Sequence, residues 1–362
     1  MRKGSTGSST TCTPGREQIL VLAPSWLGDA VMATPFLLAL RRRRPAARIA
    51  LMCREYVSEI FRRSRGIDSI VEYRGRSIRA RFAAARGANA NGFDVCFVLP
   101  PSFSSALVSC GSRARRRIGY AGQWRRILLT DALNEAGYRA GHLSAAYLRL
   151  LERHTGAAEP TVPLPEVIPP PSWRTTGSGF AGEDDYFVVA PGATYGASKV
   201  WPHERYAGLA GLLAHRTGAT AVIVGRNEER EGAAVLAESI GAGTRNLAGK
   251  LSLEGLVAVL RGASVTIGND SGPVHVSAAL GVPTVAVFGP TSAEWTAPRG
   301  SAVRIVREDI SCAPCFKREC PFGSPRCLSQ IGIDRVFETA LSLINAGSNQ
   351  KEEDSGGACR ES

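Results

Sequence analysis

Residues Ile19–Pro45 read ILVLAPSWLGDAVMATPFLLALRRRRP. The short apolar run Ile19–Ala23 has the length and composition of a buried strand. The Thr34-Pro35 step opens a helix, because proline's fixed φ and missing N–H suit a first helical turn. Between them lies a Pro/Gly loop with one carboxylate, Asp29, among Trp26, Leu27, Ala30 and Val31. A lone acid in an apolar strand-to-helix turn is either a helix-cap device or a catalytic base. Thr34 is the better cap, so capping the Pro35 helix is not the task expected of Asp29. The same segment mimics a membrane span, since residues 19–40 are nearly all apolar with basic residues on both sides. Pro24, Gly28, Asp29 and Pro35 argue against insertion, and a central Asp alone costs about 2.5–3.5 kcal/mol on insertion scales. A buried strand, loop and helix explains those residues better. No small-residue cleavage site follows, so a signal peptide is not read.

Working outward, strands and helices alternate. Candidate strands are Ile19–Ala23, Arg48–Cys53, Ser69–Tyr73 and Phe93–Leu99, then Tyr186–Ala190, Ala219–Val224, Val265–Gly268 and Thr284–Phe288. Helical patterns fall between them, as at Thr34–Arg43, Arg205–Thr217 and Leu253–Arg261. This alternation predicts an α/β protein with parallel sheets and right-handed crossovers. Val162–Pro171, VPLPEVIPPP, continues neither element and reads as a linker. The expected organisation is a Ser/Thr/Gly-rich extension over 1–16, one half over 17–165, a linker over 166–180, a second half over 181–345 and a disordered tail over 346–362. A ligand is expected in the cleft between the halves, at the carboxyl ends of the strands.

The 362 residues carry 44% hydrophobic and 21% charged side chains, a globular composition with room for two domains. The net charge of +12 is uneven: residues 1–170 hold 26 Lys/Arg against 12 Asp/Glu, and residues 171–362 hold 18 against 20. The first half, at +14 to the second half's −2, is expected to face an anionic partner. Nucleic acid is disfavoured, because the arginines are not interleaved with stacking aromatics or any recognisable module. The nine cysteines lack the density of a disulfide scaffold, so a reducing cytoplasm is expected. Cys312, Cys315, Cys320 and Cys327 begin with metal-like spacing but lack a second C-x-x-C; they read as either a structural zinc site or free thiols.

Three further loops carry chemistry. In Val265–Leu280, VTIGNDSGPVHVSAAL, a strand ends at Gly268, Asn269–Gly272 turn tightly, and Pro273 starts a helix. Backbone N–H groups at such a start attract an anion, so with Ser271 and His275 beside it this is a pyrophosphate seat, or Asp270 and Ser271 merely cap the helix. In Ala190–Pro202, APGATYGASKVWP, a Gly-rich loop lets backbone approach phosphate and Lys199 can neutralise a leaving group; alternatively the lysine is simply solvated. The full triphosphate-binding pattern is missing, so metal-assisted phosphoryl transfer is not indicated. In Val222–Glu229, VIVGRNEE, Glu228 or Glu229 can accept ribose hydroxyls or form a solvated first-turn pair.

Together these stretches resemble the ADP-heptose:lipopolysaccharide heptosyltransferases, glycosyltransferase family 9. The resemblance rests on PSWLGDAVMATP (24–35), LPPSFSSAL (99–107), RIGYAGQWRRILLTDAL (117–133), PGATYGASKVWPHERYA (191–207), RNLAG (245–249), NDSGPVHVSAAL (269–280) and FGPTS (288–292). The SWLGD form favours heptosyltransferase II over heptosyltransferase I; because the donor motifs are shared, the alternative is heptosyltransferase I or III or another family 9 transferase with a different acceptor. The resemblance implies a GT-B fold, two Rossmann-like domains facing across a cleft. It implies inverting, metal-independent transfer of L-glycero-D-manno-heptose from ADP-heptose to the first heptose of a keto-deoxyoctulosonate-lipid A core. It makes Asp29 the general base and Lys199 the stabiliser of the leaving ADP. Gly192, Thr194, Lys199, Glu229, Asn269, Asp270, Ser271, Gly272 and His275 become donor-binding residues, and Ser25, Trp26, Arg117, Tyr120, Arg125 and Arg126 acceptor-binding ones. No cofactor is required. The implied setting is the cytoplasmic face of the inner membrane, met peripherally through the basic half.

Overall fold

The apolar runs become the centres of two parallel sheets. The computed structural model describes residues 16–75, 77–181 and 184–357. The first sheet holds β1 (Gln18–Leu22), β2 (Arg48–Arg54), β3 (Ser69–Tyr73), β4 (Val95–Val98), β5 (Arg116–Tyr120) and β6 (Asp131–Leu133), in the order β3-β2-β1-β4-β5-β6. The second holds β7 (Tyr186–Ala190), β8 (Thr220–Ile223), β9 (Arg245–Asn246), β10 (Thr266–Asn269), β11 (Thr284–Phe288) and β12 (Val303–Arg307), in the order β12-β11-β10-β7-β8-β9. Every pairing is parallel. The winding is the same twice: each half starts in mid-sheet, runs outward for three strands, then crosses to the other side of its first strand. The order therefore reverses between β1 and β4 and between β7 and β10, where such folds open a crevice beyond the strand ends. Ile19–Leu22 and Phe187–Val189 are buried, as central strands covered on both faces must be.

The expected loop before Thr34 is instead a short helix, Leu27–Met32, with Asp29 in its first turn. Six residues cannot hold a helix by propensity; this one forms because Leu27, Ala30, Val31 and Met32 are buried against the core. Only Ala33 separates it from the helix Thr34–Arg43. Thr34 is accordingly not the cap: its Oγ1 donates to Val31 O at 2.9 Å and accepts from Glu166 N at 3.0 Å. The strands β5, β6, β9 and β12 lay outside the expected set, because RRIGY, DAL, RN and VRIVR offer no continuous apolar run.

Val162–Pro170 has no regular structure, and the helix Trp173–Ala181 packs on the helix Leu253–Gly262 of the second half. The C-terminal helix Ile333–Gly357 extends well into the stretch expected to be disordered. Residues 1–15 and 358–362 lie outside the described residues. The two halves meet along the cleft. The helix Leu27–Met32 packs on the helix Gly272–Ala279. His142 Nε2 lies 2.9 Å from Ala297 O, and Arg299 donates to Val162 O and Pro163 O at 2.9 and 3.1 Å.

Candidate active site

Two helix starts face each other across the cleft, each brought close by a glycine. A Cβ on Gly28 would lie 2.9 Å from His275 Cδ2, and one on Gly272 would lie 2.7 Å from a Leu27 methyl. This approach sets Asp29, one residue past Gly28, beside the polar cluster of the second half. Among the described residues no hydrogen bond or ion pair engages the Asp29 carboxylate. Burial pushes its pKa up to about 6; Asp270 adds to the rise, while His275 and Lys199 oppose it. A carboxylate without a fixed partner, titrating near neutrality, has the properties of a general base.

The facing cluster is built on the turn after β10. Lys199 Nζ donates to Asp270 Oδ2 at 2.5 Å and to Asp270 O at 3.3 Å. Thr291 Oγ1 donates to the same Oδ2 at 2.7 Å, and His275 Nε2 lies 3.6 Å from Oδ1. Burial alone would raise the Asp270 pKa, but the His275 and Lys199 contacts outweigh it and hold the carboxyl down at about 2. Asp270 is thus a fixed anion that fastens Lys199, and Lys199 is not merely solvated. Tyr195 lies beneath the ammonium, 4.9 Å from Nζ to the ring centre. Ser271 occupies the N-cap position of the helix Gly272–Ala279 but makes no capping bond; its Oγ is buried without a partner among the described residues. The unused donors at that helix start remain suited to an anion.

Asn269 departs from its expected role as a donor contact. Its Oδ1 accepts from Trp201 N at 3.0 Å and Tyr206 OH at 2.9 Å, and its Nδ2 donates to Pro191 O at 2.5 Å. A fully buried amide with its acceptor saturated positions the Gly-rich loop from behind.

Beside that loop a cavity of about 290 Å³ is lined by Gly192, Gly196, His203, Arg226, Glu228 and Glu229, with further apolar residues. A Cβ on Gly192 would fall 2.3 Å from the Glu229 carboxylate, so any other residue there would have to push that side chain aside. Glu229 Oε2 accepts from Arg226 N at 2.8 Å, which fixes it at the cavity wall. Thr194 sits exposed in the same loop.

The acceptor-side expectations divide. Ser25 Oγ lies 3.3 Å from Tyr73 OH, and Trp26 is 48% exposed at the start of the Asp29 helix. Arg126 is exposed. Tyr120 is buried and donates to Ala146 O at 2.7 Å, so its hydroxyl is already committed. Arg125 is only 1% exposed; it donates to Tyr120 O, Ala121 O, Gln123 Oε1 and Glu135 Oε1, and so holds a turn together. Arg117 donates to Leu128 O at 2.8 Å and Ala114 O at 3.0 Å, and is another structural clasp.

The seven cysteines among the described residues form no disulfide, with Cys312 and Cys315 exposed and Cys327 buried. Among the described residues no group of three or more His, Cys, Asp or Glu side chains is placed to hold a metal ion. Sequence reasoning missed Thr291, although FGPTS marks the stretch, and missed Arg226 and His203 as cavity residues.

Two facing Rossmann-type halves with polar loops meeting at both switch points make a GT-B fold, the architecture of a large class of glycosyltransferases. The profile of glycosyltransferase family 9 (heptosyltransferase) matches residues 81–325. Lipopolysaccharide heptosyltransferase 2 of Salmonella typhimurium is 30% identical over 345 residues, covering 91% of this chain and 99% of that protein. The solved structure of Escherichia coli ADP-heptose lps heptosyltransferase II is 27% identical, with a TM-score of 0.79 over 91% of this chain and 99% of that one. A family 9 glycosyl transferase from Veillonella parvula gives a TM-score of 0.81 at 25% identity, over 91% and 98% of the two chains. The chain belongs to glycosyltransferase family 9, the heptosyltransferases.

Proposed function

We propose that this enzyme is a heptosyltransferase II, transferring L-glycero-D-manno-heptose from ADP-heptose to the first heptose of a lipopolysaccharide core. The observation that carries the chemistry is Asp29, an unpaired carboxylate with its pKa raised to about 6, facing Lys199, Asp270 and His275 across the cleft. Asp29 takes the proton from the attacking acceptor hydroxyl. The heptose inverts, since base and leaving ADP lie on opposite sides of the reacting carbon. Charge developing on the diphosphate is met by Lys199 and by the start of the helix Gly272–Ala279, with Ser271 Oγ available as a further donor. The nucleoside occupies the cavity beside Gly192, and Glu229 accepts its ribose hydroxyls. The second half is then the donor domain, and the first half, with Ser25, Trp26 and Arg126, the acceptor domain.

The chemistry needs no metal; transfer undiminished by a chelator supports that. The acceptor is carried by an anionic glycolipid, and the first half's balance of +14 favours peripheral contact with the cytoplasmic membrane face. No helix among the described residues is long and apolar enough to cross a membrane. A structural zinc on Cys312, Cys315, Cys320 and Cys327 requires the exposed thiols to turn in toward Cys327, whose pKa, raised to about 11 by burial, also registers the other three. One equivalent of zinc in the purified protein supports that site; none leaves four free thiols. The acceptor stage is tested with ADP-heptose and cores carrying zero, one or two heptoses. Transfer to the one-heptose core alone is expected, and transfer only to either of the others refutes this assignment.

A further inference from the structure

The turn after β5 holds its largest apolar side chains out in solvent. Trp124 is 83% exposed and Ile127 75%. Three successive residues there have left-handed φ: Gly122 at 116°, Gln123 at 47° and Trp124 at 65°. For the two non-glycine residues that conformation is unfavourable, and it persists only where the surroundings impose it. The buried Arg125 imposes it here, gripping Tyr120 O, Ala121 O, Gln123 Oε1 and Glu135 Oε1 from below. Residues 125–128 form a 3₁₀ turn with Trp124 as its N-cap, and Ile127 N donates to Trp124 O at 3.4 Å, so both exposed side chains project from one tight turn. The exposed Arg126 lies between them.

The position of the turn matters as much as its shape. It leaves the carboxyl end of β5, the sheet edge from which Asp29 follows β1. Only β4 separates β5 from β1, which sets the two exits about 10 Å apart. The helix Phe103–Gly111 packs on the turn and begins with Phe103, 42% exposed.

We propose that Trp124 and Ile127 form a rigid wedge that enters the headgroup region of an anionic lipid bilayer. The idea rests on the reading above that the acceptor is membrane-borne. Tryptophan suits that depth, with an apolar body for the acyl boundary and an N–H for the wet side. Arg126 and the +14 balance of the first half match an anionic surface. A wedge on the Asp29 edge would bring the reacting carboxylate toward the surface from which the acceptor saccharide projects.

The test uses the full chain and vesicles of phosphatidylcholine with or without phosphatidylglycerol, free of acceptor. Wild type is expected to bind the anionic vesicles at low salt. The double variant Trp124→Ser, Ile127→Ser should bind at least tenfold more weakly, with an unchanged thermal melt and unchanged turnover on a deacylated, water-soluble acceptor. Acyl-brominated lipids should quench wild-type tryptophan fluorescence more than that of Trp124→Phe. Equal vesicle binding by wild type and the double variant overturns the wedge but leaves charge-driven membrane contact standing. No vesicle binding by wild type at low salt overturns both. Weaker binding without differential quenching also overturns the wedge, as does a matching loss of turnover on the soluble acceptor.

Discussion

Replacing Asp29 with asparagine keeps the side chain's size and removes its charge and its proton-accepting oxygen. Burial raises the Asp29 pKa from 3.8 to about 6. At about 1.4 kcal/mol per pH unit, ionising Asp29 costs the folded protein up to about 3 kcal/mol. The carboxylate is partly open to the cleft, so a gain of about 1–3 kcal/mol is expected for the variant at pH 7.5. Between pH 3.8 and about 6 the folded chain holds a proton that the unfolded chain has lost, so wild-type stability falls as pH rises through that window. The melting difference between variant and wild type should therefore be near zero below pH 4, grow up to pH 6 and stay flat above it. In parallel, kcat should drop by roughly a hundredfold or more while ADP affinity changes little. Wild-type kcat/KM should rise with pH up to about 6 and then level, since only the ionised base works. Thermal melts across pH, calorimetric ADP titration and a transfer assay read all three. A variant less stable than wild type at pH 7.5, or one that no longer binds ADP, would show that Asp29 is structural and refute the reasoning.

Gly192→Ala should thrust a methyl into the Glu229 carboxylate, 2.3 Å from its position, and weaken ADP binding at least tenfold by titration calorimetry while the melt shifts little. Asn269→Ala should strip partners from Trp201 N, Tyr206 OH and Pro191 O and cost about 2–4 kcal/mol in urea unfolding. The same variant should lower kcat, because the loop that carries Lys199 loses its anchor.

The central strands were legible because both of their faces are buried, so VLA- and VVA-type runs stand out from the surrounding polarity. Tyr186–Ala190 and Thr284–Phe288, buried throughout, match strands end to end, as does the less buried edge strand Ser69–Tyr73. The charged strands β5 and β12 escaped because parallel pairing, not hydrophobicity, fixes them. The helix Leu27–Met32 escaped because Gly28 and Asp29 read as loop residues, and tertiary burial overrides that preference. In the site, motif spacing singled out Lys199, Asp270 and His275, but their mutual contact depends on a turn closing against a loop some seventy residues away in sequence. Arg117, Tyr120 and Arg125 misled for the opposite reason. An Arg-rich segment looks like a binding patch until the backbone carbonyls that its guanidinium groups satisfy are seen.

Asp29 and Asp270 are two carboxylates facing the same two side chains, Lys199 and His275, yet their pKa values are driven apart, to about 6 and about 2. Direct contact accounts for the difference. Asp270 takes Lys199 and Thr291 on one oxygen and has His275 near the other, whereas Asp29 feels His275 and Lys199 only through space. Divergent environments for paired acids divide their roles: the depressed one is a permanent counter-ion, and the raised one exchanges a proton at working pH. Lys199 spends two of its three donors on Asp270, on the carboxylate and on the backbone carbonyl, which leaves one for an incoming phosphate oxygen. The diphosphate can therefore be met without first breaking the Lys199–Asp270 pair. On the proposed mechanism the ammonium is already held in place when charge develops on the leaving group, so little reorganisation is required of it during transfer.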